Sequence, residues 1–304
     1  MRHSHRNLHW IAIVLAAFLV VSSAARADDL QQHLHDQYQG RALLLRGSYS
    51  GNHLHYDSAG TVDKATAGDW TSDGVVLINE VRISNHRLTI KASRVLVAAQ
   101  GELRFLESRN HRPKKWDSLK IEAELGQSEP TVAEVDAAIS RIFATSHDNF
   151  IDLVPDYWKP CLQAALAGGK LNCRFSKEVL SIPGVQSSGK LGEETSAPTE
   201  KLSDHRDSTA FRIGKGVSPP RLVYQYEPAF NEIAREVKYQ GTLTLGLIVN
   251  REGVPTDIHI LSPLGCGLDL KAVQAVKDWR FSPAEKDGQP VAVEIAVEVA
   301  FHLY

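Results

Sequence analysis

Cysteine is scarce, with three in 304 residues, too few for a disulfide scaffold. After residue 21 no apolar run approaches the roughly 20 residues that cross a bilayer as a helix, which excludes a polytopic channel or transporter. Positive charge is not in excess. The formal net charge is −2, and residues 28–304 carry 31 basic against 36 acidic side chains, so no general nucleic-acid surface is expected. G-x-S-x-G, P-loop, G-x-G-x-x-G and H-E-x-x-H signatures are all missing, and Gly214-Lys215-Gly216 is too short to cradle a phosphate. His33/His35 and His53/His55 have alternating spacing, but only Asp36 and Asp57 accompany them, so they are read as solvated surface histidines. The expectation is a non-enzyme, with no catalytic residues, cofactor or metal. What is present is 43% apolar and 23% charged residues, enough for globular cores, in a length that suggests two domains.

Residues 1–27 read as an export signal. Arg2 and Arg6 precede an apolar stretch of 11 residues, Ile11–Val21, and Ala25-Arg26-Ala27 forms an A-x-A cleavage pattern. The alternative is an uncleaved anchor. Trp10–Ala25 is short for one, at 16 mostly apolar residues. Either reading places the rest of the chain outside the cytoplasm, periplasmic if cleaved and facing the periplasm from the inner membrane if not. That setting permits a disulfide between Cys161 and Cys173, closing a short helical hairpin, with Cys266 left as a small buried residue.

The fold class predicted is α+β. Residues 28–182 form an N-terminal domain. From 41 to 125, short β-branched runs are punctuated by Gly51, Gly60, Gly74, Asn85 and Gly101, which predicts an antiparallel meander of about six strands. Val76, Ile78, Glu80 and Arg82 are expected on one face, Leu77, Asn79, Val81 and Ile83 on the other. From Pro130 the period becomes helical through Val135, Ile139 and Ile142, and a second helix is expected near Trp158–Leu166. The strand faces also permit a ligand pocket inside a curved sheet, which would make the chain a ligand carrier.

Residues 183–215 are poor in apolar side chains and read as a flexible linker. Its first 28 residues would reach about 30 Å as a coil. Residues 216–304 have the clearest pattern. A short helix within Pro228–Val237 is followed by a strand at Thr242–Val249, a turn at Asn250–Gly253 and a strand at Ile258–Leu261. Leu268, Ala272, Ala275, Val276 and Trp279 then make a helical stripe that, with Phe281, is the expected domain core. The last strand puts Val291, Val293, Ile295, Val297, Val299 and Phe301 on one face. The order is β-β-α-β.

This C-terminal segment resembles the TonB C-terminal domain family. The matching residues are Pro228, Ala234, Gly241, Glu252-Gly253, Asp257, then Ala272, Ala275, Val276, Trp279, Phe281, Pro283, Ala284, Gly288, Pro290 and the ending Val297, Val299, Phe301. Tyr226-Glu227-Pro228 departs from the adjacent Tyr-Pro common in the family. The resemblance implies a protein-binding module of a diderm cell envelope. Its partner would be another envelope protein, such as an outer-membrane receptor peptide, added as a strand on the edge 291–301. It also implies, as an alternative, a membrane-anchored energy transducer for transmembrane transport. Membrane contact is expected only if residues 1–27 are retained, and no nucleic-acid partner is expected.

Overall fold

The computed structural model describes residues 27–99, 102–106, 117–126, 129–145, 147–168, 172–174 and 210–303. The segment read as an export signal, except Ala27, and the segment read as a linker, up to residue 209, lie outside the described residues.

In the first half a helix, α1 (residues 27–38), precedes a seven-stranded sheet. Its strands are β1 (Ala42–Leu44), β2 (His53–Tyr56), β3 (Val75–Ser84), β4 (Arg87–Ala99), β5 (Glu102–Leu106), β6 (Ser118–Glu124) and β7 (Asn172–Arg174). The hairpin β3–β4 is the spine, with β1 on its outer side. Beyond it the long β4 pairs with β6 over its first part and with β5 over its last. Most pairs are antiparallel, as a meander requires, but β2–β6 and β5–β7 are parallel.

The expected alternation in β3 breaks at one point. A register shift lies between Ile78 and Glu80, so Val76, Ile78 and Val81 all enter the core. One extra residue flips every later side chain to the opposite face, which local alternation cannot foresee. Leu88, Ile90 and Ala92 of β4 alternate inward as expected. Against them pack Leu30 and Leu34 of α1 and Val135, Ile139 and Ile142 of α3 (Val132–Ile142). The start of α3 is set by a capping box between Thr131 and Glu134.

The C-terminal half contains β8 (Phe211–Arg212), β9 (Arg221–Tyr224), β10 (Gly241–Val249), β11 (Pro255–Ser262), β12 (Arg280–Ser282) and β13 (Val293–Phe301). Four of them form a sheet in the order β8-β13-β10-β11, and β9 pairs with β12. The helices α5 (Glu232–Glu236) and α6 (Leu268–Lys277) supply Ala234, Leu268, Ala272 and Val276 to the core beneath Leu243, Leu245, Leu247, Val293, Val299 and Phe301. The turn between β10 and β11 is closed by Asn250, whose Oδ1 accepts from Glu252 N and Val254 N. Gly253 there has φ +76°, and a Cβ on it would lie 1.8 Å from the Phe281 carbonyl. Phe211 and Arg212, at the end of the segment read as linker, form part of the sheet.

The two halves share one buried cluster. Trp70 of α2 (Trp70–Asp73), Val95–Ala99 of β4, Trp158, and Cys161 and Leu162 of α4 (Lys159–Gly168) belong to the same core as the C-terminal sheet and helices. Trp70 and Trp158 meet edge to face at 5.0 Å between ring centroids.

Candidate functional site

The last strand has one occupied edge and one largely open edge. β13 pairs with β10 over nine positions, from Gly241↔Phe301 to Val249↔Val293. On its other side β8 pairs only with Val293 and Glu294, in parallel. Phe211 N donates to Ala292 O at 2.8 Å, so Ala292 directs its backbone groups to that outer side. Backbone groups of successive strand residues point to opposite edges. Ala296, Glu298 and Ala300 therefore present their N–H and C=O groups outward, with no strand beside them among the described residues.

This refines the expected partner-binding strand. The side chains of Val293, Val299 and Phe301 are buried, and those of Ile295 and Val297 half-buried, against the helices. Val291 belongs to a separate small hairpin strand, Gln289–Val291. The odd-numbered side chains build the core, and the outward backbone groups belong to the even-numbered residues between them. All six expected core residues, Leu268, Ala272, Ala275, Val276, Trp279 and Phe281, are buried.

A second concentration of polar groups lies where the halves meet. Ala99 N donates to Leu264 O at 2.9 Å and Cys266 N to Val97 O at 2.8 Å, around an antiparallel bridge between Ala98 and Gly265. Gly267 (φ +76°) is the N-cap of α6 and has no side chain to satisfy the first free N–H groups. The first half satisfies them instead. Thr71 Oγ1 accepts from Gly267 N at 2.8 Å, and Asp69 Oδ2 accepts from Leu270 N at 3.1 Å. Asp69 also caps α2, accepting from Thr71 N at 2.7 Å, and takes bonds from the Thr71 and Tyr157 hydroxyls. Asp269 accepts from Leu264 N at 2.8 Å and Gly265 N at 2.7 Å.

Both carboxylates are buried, and among the described residues neither forms an ion pair with Lys, Arg or His. Burial raises the Asp69 carboxyl above the ordinary range against the pull of its hydrogen bonds. Burial, and then the charge of Asp69, pushes Asp269 up to about 7. The Tyr157 hydroxyl and the Cys266 thiol are also raised, mainly by burial.

The disulfide expectation is corrected at Cys161, whose thiol is free and buried, pushed up to about 11 mainly by burial. Cys161 lies in the first turn of α4 and belongs to the shared core, whereas Cys173 lies in β7, opposite Leu103 of β5. The histidines pair with carboxylates: His33 with Asp136 at 3.1 Å, His53 with Glu122 at 2.7 Å and His55 with Glu124 at 3.5 Å. Sequence reading missed the Asp69–Thr71 cap. Its signal was a helix opening on L-G-C-G-L-D, with no Ser, Thr or Asn at the cap, beside an Asp-Trp-Thr start elsewhere.

A mostly antiparallel sheet backed by two helices, with the outer side of its last strand largely unpaired among the described residues, defines a small α+β module. Residues 226–303 match the family model described as Gram-negative bacterial TonB protein C-terminal, and this segment is a TonB C-terminal domain. Over 89 residues the chain is 36% identical to Protein TonB of Vibrio cholerae serotype O1, covering 29% of this chain. It spans 36% of that relative's length. It is also similar, at 18% identity, to a solution NMR structure of the TonB C-terminal domain of Pseudomonas aeruginosa. That match covers 31% of this chain and 93% of the other, with a TM-score of 0.25. Among the described residues no helix is long and apolar enough to cross a membrane.

Proposed function

We propose that the chain is an exported cell-envelope protein whose C-terminal module binds a protein partner by accepting an extended segment along the outer edge of β13. The observation that carries this reading is the row of backbone groups at Ala296, Glu298 and Ala300 beyond the short reach of β8. An unpaired edge is a template for an added strand, with main-chain hydrogen bonds supplying affinity. The exposed Glu298 side chain adds a negative charge on the sheet face beside that edge. Interaction rather than catalysis is the role supported. The match to a Gram-negative bacterial TonB C-terminal model supports an envelope setting, and the composition of residues 1–27 supports export.

Glu298→Pro tests the edge directly. Proline removes one outward donor, whereas the bonds to β10 come from the odd-numbered neighbours. Val297→Pro would instead break the sheet itself. A photoreactive group placed at Ala300 should crosslink a partner from envelope extract, and Glu298→Pro should reduce the yield at least tenfold with the melting curve little changed. An undiminished yield in the folded variant would sink the edge reading.

A further inference from the structure

The joint between the halves places two buried carboxylates together. Asp69 comes from the first half and Asp269 from the second, and every group bonded to them is an N–H or O–H donor. Facing the pair are Tyr157, Cys161 of α4 and Cys266 of the loop before α6, none of them cationic. The nearby guanidinium of Arg94 is engaged elsewhere. It pairs with Asp73 at 3.2 Å and donates to the carbonyls of Asp73, Tyr49 and Gly51.

Two like charges that share a site out of water cannot both ionise cheaply. The donor count separates their roles. Asp69 accepts four hydrogen bonds, which favours its carboxylate form, while Asp269 accepts one on each oxygen and keeps capacity for a proton. The two donors to Asp269 belong to its own half. Parting the halves would hydrate Asp269 without breaking those bonds.

We propose that this joint is a proton-linked clasp: the closed halves hold a proton on the Asp69–Asp269 pair, and opening releases it to solvent. The inference concerns the joint alone and is independent of strand addition at β13.

The sign follows from linkage. A carboxyl bound more tightly to its proton in the closed state favours closure as pH falls. The window runs from near neutrality, where Asp269 titrates when closed, down to the ordinary aspartate value of 3.8. Within it the closed-to-open ratio changes about tenfold per pH unit for one proton.

The test is amide hydrogen exchange on the full chain at pH 5 and pH 7, corrected for intrinsic exchange. The reporters are Gly267 and Leu270, whose acceptors lie across the joint, and the controls are strand amides within each half, such as Ile90 and Leu245. Protection at the reporters should fall tenfold or more from pH 5 to pH 7, with the controls changing less than twofold. Equal changes, or none, would overturn the clasp. Asp269→Asn should flatten the pH dependence at the reporters. A folded variant that keeps the full dependence would also overturn it, and if the variant fails to fold the wild-type comparison decides alone.

Discussion

Trp279→Ala should lower the stability of the chain by about 3–5 kcal/mol, because it empties one of the largest sites in the shared core. Trp279 is only 3% exposed, lies tilted against Phe281 with 6.3 Å between ring centroids, and donates its indole N–H to Tyr226 O at 2.9 Å. The alanine leaves a cavity and an unsatisfied carbonyl together. Urea unfolding followed by near-ultraviolet circular dichroism should give one transition, shifted as a whole, since Trp279 belongs to the same buried cluster as Trp70 and Trp158 of the first half. A curve with two separated steps, only one of which moves, would show that the halves fold independently. An unshifted curve would remove Trp279 from the core.

Gly265→Ala should cost at least about 2 kcal/mol, from a left-handed backbone and lost hydrogen bonds together. Gly265 has φ +87°, and a Cβ there would stand 2.4 Å from Val97 O, 2.9 Å from Ala98 Cα and 3.0 Å from Ala99 N. These are backbone atoms of β4 and cannot swing aside as a side chain can. The loop before α6 and β4 must part at the bridge that, among the described residues, joins the halves through backbone pairing. Gly288→Ala is the matched control. Its φ is +74°, but nothing lies within 4 Å of the added atom, so it reports conformational strain alone. Denaturant midpoints of the two variants separate strain from collision. If both fall equally, close approach at Gly265 contributes nothing.

The helix and strands of the C-terminal half were legible in the sequence because each buries one face. Leu268, Ala272 and Val276 repeat at helical spacing, and Leu243, Leu245 and Leu247 alternate. The change of period after Pro130 marked the start of α3 in the same local way. The joint was not legible. Thr71 and Gly267 are 196 positions apart, and Asp69 and Leu270 are 201 apart, so no window of periodicity contains both partners. The bulge after Ile78 was hidden for a different reason, since alternation carries no sign of an inserted residue. For the candidate edge, the sequence located the strand and its apolar face. Which backbone groups look outward depends on the neighbour that occupies the other side, and that is known only once Phe211 is seen bonded to Ala292.

The shared core has a mechanical consequence. A binding module on a coil would sweep a sphere with a radius of about 30 Å and meet its target by random search. Here Asp69 and Thr71 grip the start of α6, and the two halves share a packed core. The free edge of β13 is then aimed rather than leashed. A pull exerted on a strand seated there would be borne by the body of the first half, through the contacts around Gly265 and Trp158.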